Sequence, residues 1–215
     1  MPTSRRTTSR RTAGLGLLAY GIATPLAFMS IDSPGGDYEE RTVTAYVSSG
    51  HWATAFVLAY VGAFAALGLL AFARRMRHEV GPAGDLLWGL SVAGAAAAVV
   101  GWFMVGGVAV AMAEGGSALT TVPHPVVYLV SEISNLVAVC ASAFLIGLAA
   151  LVLGARSTLP TPLRVFCSVA GVCGILGPVF FPIFLFWLWA IVAGAWLAAT
   201  GSRSATPAPR EVLPV

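Results

Sequence analysis

The chain has no lysine, only three cysteines and little charge of either sign. Only 10% of its 215 residues are charged, against about 25% in a soluble domain, and 58% are hydrophobic. So few charges cannot cover a water-facing surface, and a mean hydropathy of +0.85 makes lipid the solvent. All twelve basic residues are Arg, clustered at the ends of apolar runs. That pattern is topogenic and differs from the basic face with exposed aromatics or a reading helix that nucleic acid requires, so nucleic-acid binding is excluded. Cys140, Cys167 and Cys173 all fall inside apolar runs, where a thiol packs as a small hydrophobe. They supply neither a disulfide framework nor metal-ligand spacing.

What the chain does have is long apolar runs of roughly the 20 residues that cross a bilayer. They predict an all-α, polytopic transmembrane helical bundle of about six helices, with spans at 13–31, 52–73, 86–113, 126–154, 165–179 and 183–200. Residues 1–12 read as a basic tail carrying Arg5, Arg6, Arg10 and Arg11. The run that follows is longer than a signal-peptide core and lacks an A-x-A-like cleavage site, so it reads as an uncleaved first helix, kinked at Pro25. The connection 32–50 holds Asp32, Asp37, Glu39 and Glu40 against Arg41 alone and reads as an acidic loop. Residues 74–85 form a basic loop turning at Gly81-Pro82, and 156–164 a tight basic turn. The last apolar stretch is too long for one crossing and divides near Gly177-Pro178 and Pro182. Residues 201–215 read as a disordered tail. Six crossings put every Arg except Arg41 on one side, which predicts a plasma-membrane protein with both termini cytoplasmic.

Glu132 is the one acid inside a predicted span. An intramembrane acid marks a functional site by default. At spacings of three, four and seven, Tyr128, Ser131, Glu132, Asn135 and Ser142 fall mostly on one helical face, giving a polar stripe directed away from lipid. Tyr128, Ser131, Glu132 and Asn135 are therefore the candidate ligand or proton site. Counting about 20 residues back from Gly154 places Glu132 at the outer boundary, where ionisation costs little and anchoring or helix packing explains it equally well.

His51 and His124 lie at helix ends beside the acidic segment. With Asp37, Glu39, Glu40 or Glu132 they form a candidate divalent-metal site, although loop histidines beside water need no metal and this spacing is not diagnostic. Haem would need paired histidines within the spans, and His78 lies on the opposite side. No cofactor is predicted. Glu39-Glu40 is not the helical glutamate pair with intramembrane His ligands of a membrane protease, and no nucleophile triad, phosphate loop or dinucleotide fingerprint occurs, so no enzyme is predicted. Phe184, Trp187 and Trp189 are mid-span bulk, usually packing or lipid-facing, alternatively a ligand wall.

The stretch FLIGLAALVLGARSTLPTPLRVFCSVAGVCGIL, with Arg156, Leu159, Pro160, Leu163 and Gly171 between two apolar runs, resembles a large uncharacterised family of small six-helix bacterial integral membrane proteins, common in actinobacteria. WATAFVLAYVGAFAALGLLAFARRM is similar in style. The resemblance implies the threading, and no chemistry.

Three roles follow as expectations. The first is a non-enzymatic structural or interaction protein of the cell envelope, in contact with the lipid bilayer and assembling with itself or a membrane partner through Gly62-x-x-x-Ala66 and Gly194-x-x-x-Ala198. The second is a small transporter or proton-coupled permeability factor using the Glu132 face. The third is a metal- or haem-binding redox protein. A cavity reaching Glu132 favours the second, a solid bundle with lipid-facing glycines the first. For the threading, reporter domains fused before residue 12 and after Thr200 are expected on the same side of the membrane; opposite sides would refute it.

Overall fold

The computed structural model describes residues 3–31, 39–48, 52–115 and 121–203. In lipid each peptide N–H and C=O must find a partner within the protein, so apolar runs of this length become helices, and no strand occurs among the described residues. The helices are α1 (Thr3–Ser30), α2 (Glu40–Ser48), α3 (Trp52–Met76), α4 (Gly84–Gly115), α5 (His124–Asn135), α6 (Ser142–Arg156), α7 (Thr161–Ile175) and α8 (Phe181–Arg203). A π-helical segment, Leu136–Ala141, joins α5 to α6 without a break. Five stretches are long and apolar enough to cross a membrane: Arg10–Ser30, Trp52–Met76, Gly81–Gly115, His124–Arg156 and Phe181–Thr200. This is an α-helical membrane protein. The apolar α7, at 15 residues, is shorter than these.

Two stretches read as non-helical are helical. Backbone helix begins at Thr3, within the basic tail, and the supposed acidic loop contains α2. The β-branched run Thr42-Val43-Thr44 argues against a helix there. Glu40 in the first turn, at the positive end of the helix dipole, and the burial of Val43 argue for it. Packing prevails, and α2 lies against α5. At the other terminus helix continues to Arg203; the rest of the tail, like residues 1–2, lies outside the described residues.

Six helices form a closed ring in the order α1, α3, α4, α6, α7, α8, with α8 returning to α1. Small residues bring the backbones together. A Cβ on Gly14 would stand 2.6 Å from the Gly194 carbonyl oxygen, and one on Gly147 would stand 2.7 Å from that of Gly171. Gly16 and Gly68 meet across α1 and α3 in the same way, and Gly101 lies against the backbone of Ala138. Aromatic side chains fill the middle. Tyr20, Phe186 and Trp189 are fully buried, with Tyr20 edge-on to Phe186 at 6.5 Å and Phe72 edge-on to Trp189 at 6.2 Å. The Trp189 indole N–H donates to Cys167 Sγ at 3.3 Å, and the Tyr20 and Ser142 hydroxyls are 3.2 Å apart.

The N-terminal half of α1, the α3–α4 turn and the α6–α7 turn meet at one arginine-rich end. The α3–α4 turn contains an acid, Glu79, that holds this end together. Its Oε1 accepts from Arg75 at 2.6 Å and from Arg10 at 3.2 Å, and its Oε2 from the Thr158 hydroxyl at 2.8 Å. The Thr158 backbone N–H donates to the Glu79 carbonyl oxygen at 3.3 Å. Arg164 closes the C-terminus of α6, donating to the carbonyl oxygens of Gly154 and Ala155. Burial alone would raise the Glu79 pKa. The Thr158 and Arg10 hydrogen bonds and the nearby Arg75 charge outweigh it and hold the carboxyl below its ordinary 4.5.

A carboxyl with a depressed folded-state pKa stabilises fully above its unfolded value and loses that contribution as pH falls through the folded one. Glu79→Gln is therefore expected to cost about 1–2 kcal/mol near neutral pH, since Arg10 is partly exposed. It should also flatten the decline in stability below the ordinary value of 4.5. Reversible unfolding in mixed micelles across pH measures both. An acid limb identical in the two proteins would show that Glu79 does not bind the three elements.

Candidate functional site

The end of the bundle away from the arginines is hollow because the α7–α8 hairpin stops short of it. At about 1.5 Å per residue, α7 spans roughly 22 Å, less than the ~30 Å hydrocarbon layer. A 3₁₀ turn, Gly177–Val179, then reverses the chain beside Cys140 and Ala143. The neighbouring rod continues past Cys140 to His124, roughly 24 Å further. The space left above the turn is a cavity of about 450 Å³. Phe28 and Ile31 at the end of α1 line it on one side, Glu132, Asn135 and Cys140 on another, and Pro178, Phe180 and Ile183 form the hairpin wall. Glu132, Asn135 and Cys140 are each partly exposed, whereas Val139 and Ile183 are buried.

Two backbone irregularities lie in this wall. The π segment Leu136–Ala141 supplies Leu136, Val139 and Cys140 to the lining. Such insertions into α-helices occur frequently at functional sites. Opposite it, Phe180 has φ 72° and ψ −59° and is the one non-glycine residue with positive φ among those described. These are the angles of a classic γ-turn, which is rare and strained, and strain of this kind costs of order 1–3 kcal/mol. The turn places the Phe180 ring 6.2 Å from Phe28 and 5.5 Å from Phe184, with Phe28 in turn 6.1 Å from Trp187. On the buried face of α1, between Tyr20 and Phe28, Thr24 is fully buried and its hydroxyl finds no partner among the described residues.

Of the four residues read from the sequence as a site, the cavity unites Glu132 and Asn135. Tyr128 is partly exposed outside its lining, and Ser131 is buried, also outside it. At 100° per residue Ser131 lies about 100° round the helix from Glu132, while Asn135 lies about 60° away. The π segment, which turns less per residue than an α-helix, then offsets the register, and Ser142 leaves the stripe and meets Tyr20 in the interior. Phe28, Cys140 and Phe180 were not recognised as site residues. Their signal was weak: a turn at Gly177-Pro178 marks the hairpin, but nothing in the sequence shows which residues it faces.

The suggested metal ligands are not brought together within the described residues. His51 lies outside them, His124 opens α5, and no group of three or more His, Cys, Asp or Glu is placed to hold a metal ion among the described residues. Trp187 and Trp189 are buried packing residues, whereas Phe184 is exposed. A second hollow, between α1 and α3, is a shallow apolar groove lined by residues such as Ala19, Ala23, Phe56 and Tyr60, the surface expected where lipid chains lie.

The fold and the cavity thus define a multi-pass α-helical membrane protein with a pocket at one end of its bundle. No protein-family model, curated protein or solved structure matches the chain.

The strain at Phe180 is separable from its ring. Phe180→Gly and Phe180→Ala both remove the ring, but only Gly accepts positive φ without a steric penalty. The Gly variant is expected to be the more stable of the two by about 1–2 kcal/mol, measured by reversible unfolding in mixed micelles. Equal stabilities would mean that the backbone at 180 is unstrained.

Proposed function

We propose that this membrane protein works by admitting a small ligand to the Glu132 cavity, as a small-molecule binding or transport protein. The observation that carries this reading is the meeting of Glu132, the one acid within the membrane-crossing stretch His124–Arg156, with a cavity of ligand size. Pockets for small molecules typically enclose about 300–1,000 Å³, with mostly apolar walls and a few polar groups that orient the ligand. This lining has that composition, with Glu132 and Asn135 among apolar side chains. In the plasma-membrane orientation proposed from the arginines, with both termini cytoplasmic, the cavity belongs to the outer half of the bilayer.

The alternative of an envelope protein assembling through small-residue faces loses its specific support. Gly62 is packed against Trp102, and Gly194 against Leu18 and Gly14, so both motifs are used within the chain. The cavity is blind in this conformation. Beyond Cys140 the Tyr20–Ser142 contact and the buried Phe186 and Trp189 fill the bundle, so passage across the membrane would require a second conformation.

Cys140 is a native probe of the reading, because it lines the cavity and is partly exposed, whereas Cys167 is buried. In lipid nanodiscs, water-soluble methanethiosulfonates are expected to modify Cys140 in the folded protein and to leave Cys167 untouched until denaturation. If reagents of neither charge reach Cys140 before the protein unfolds, the cavity is closed to water-borne ligands and the proposal fails.

A further inference from the structure

We infer that α1 carries an internal water site at its proline: a water bonded to the Thr24 hydroxyl and the Gly21 carbonyl oxygen, with the Trp187 indole N–H as third partner. The site lies behind the Glu132 cavity, on groups outside its lining, and needs no ligand there.

The need for a partner arises in the backbone. Pro25 lies inside α1 and has no N–H, so the Gly21 carbonyl oxygen, four residues before it, loses its α-helical donor. In lipid such a carbonyl is satisfied by a neighbouring helix, a Ser or Thr side chain or an ordered water. Thr24 offers the adjacent hydroxyl, yet that hydroxyl is fully buried and has no partner among the described residues. Four other helical hydroxyls, those of Ser91, Ser134, Ser168 and Thr200, each donate to the carbonyl oxygen four residues back. Ser131 and Ser157 are orphaned as Thr24 is, but neither adjoins a proline. Only at Thr24 does a buried, unpaired hydroxyl stand beside a carbonyl deprived of its donor. Leaving both dry would incur the desolvation cost twice.

The third group comes from α8, which runs antiparallel to α1. A Cβ on Gly14 would meet Ala198, and one on Gly21 would stand 2.9 Å from the Ala190 Cβ and from the Ile191 nitrogen. One turn further out, Thr24 comes to the level of Trp187, whose indole N–H is also buried and unpartnered among the described residues. The three groups thus comprise a donor, an acceptor and a hydroxyl that is either. Donors and acceptors together suit a neutral molecule that is itself both, and water supplies the roughly three hydrogen bonds typical of a buried site. A lipid chain would satisfy none of them.

The cavity is the source. Phe28, one turn beyond Thr24 on the same face of α1, lines it, and its ring lies 6.1 Å from that of Trp187. Thr24 is therefore about 6 Å along the helix from the cavity wall. Further in, the polar groups are already paired: the Tyr20 and Ser142 hydroxyls lie 3.2 Å apart, and the Trp189 N–H donates to Cys167.

The test exposes the full-length protein in nanodiscs to short X-ray pulses, which convert bound water into hydroxyl radicals that oxidise the side chains beside it. Trp187 and Trp189 are both buried on α8, so bulk solvent does not distinguish them. Trp187 is expected to be oxidised several-fold faster than Trp189. Thr24→Val, which removes the hydroxyl with little change of shape, is expected to abolish that excess, and Thr24→Ser to retain it. Stability supplies a second readout through a double-mutant cycle. In the native chain Thr24→Val is expected to lower the denaturant midpoint. In a Pro25→Ala chain, where residue 25 again gives Gly21 an N–H, the same substitution should leave the midpoint unchanged or raise it. Equal oxidation of Trp187 and Trp189, or an excess that survives Thr24→Val, overturns the inference. A midpoint raised by Thr24→Val in the native chain marks a dry hydroxyl and also overturns it, as does a Thr24→Val effect that is the same with Pro25 and with Pro25→Ala. None of these readouts depends on Cys140, so failure here leaves the reading of the cavity standing.

Discussion

The architecture depends on helices approaching one another at backbone distance. In lipid there is little hydrophobic gain in packing one apolar helix against another, so association rests on close van der Waals contact. This chain obtains that contact with glycine. Gly14 against Gly194, Gly16 against Gly68, Gly101 against Ala138 and Gly147 against Gly171 place backbone on backbone around most of the ring. A methyl group at any of these positions would meet main-chain atoms, which have no rotamer by which to yield. Two helical glycines, Gly89 and Gly107, instead face open space, so glycine alone does not mark a contact. What marks it is glycine opposite glycine or alanine, a relation between helices that a single run of sequence does not contain.

The cavity begins where this close packing ends. Around Gly147, Gly171 and Gly174 the α6 and α7 backbones are in contact, and at Gly177 the separation has relaxed to ordinary van der Waals distance. Beyond that point α7 has run out of length, and the rod from His124 to Arg156 continues without its partner. Reaching the ~30 Å of the hydrocarbon layer would have taken about another turn and a half of α7. Instead the chain reverses through the Gly177–Val179 turn and the strained Phe180, and the ring of Phe180 takes part in the wall. A short helix, a π segment and a positive-φ phenylalanine are each costly or uncommon in lipid, and all three border one space. Their coincidence gives Glu132 its meaning, because the same carboxylate at a lipid-facing interface would be a simple anchor.

Much of the fold was legible because the strongest signals in the chain, long apolar runs bounded by Arg74, Arg75, Arg156 and Arg164, report on the solvent. Glu132 was legible for the same reason, as the one acid inside a predicted span. Weaker or relational signals were lost. α2 is hidden by β-branched residues that disfavour a helix until Val43 is buried. Glu79 looks like a minor member of a basic loop, since only the folded chain brings Arg10 and Thr158 to it. The π segment has no compositional signature in LVAVCA. It nonetheless rotates everything beyond it, which is why a stripe extrapolated from Tyr128 to Ser142 held for Asn135 and failed for Ser142.

The two ends of the bundle are built on opposite principles, and this bears on how a blind cavity could serve a function. At the arginine end three elements are tied by charge-assisted hydrogen bonds to one carboxylate, and α6 is capped by Arg164. Separating them would leave Glu79 and Arg75 partly buried without their partners, which is costly. At the other end the wall is made of aromatic side chains, the 3₁₀ turn Gly177–Val179 and a π segment whose hydrogen bonds are already displaced from the α register. Rearrangement is therefore cheapest beside the Glu132 cavity and dearest at the clasp. A ligand that contacts Glu132 and Phe180 touches the parts that can move, so binding energy gained there can be coupled to repacking of the α7–α8 hairpin. A fully regular six-helix ring with a full-length α7 would have neither the space for a ligand nor the weak point through which the ligand could act.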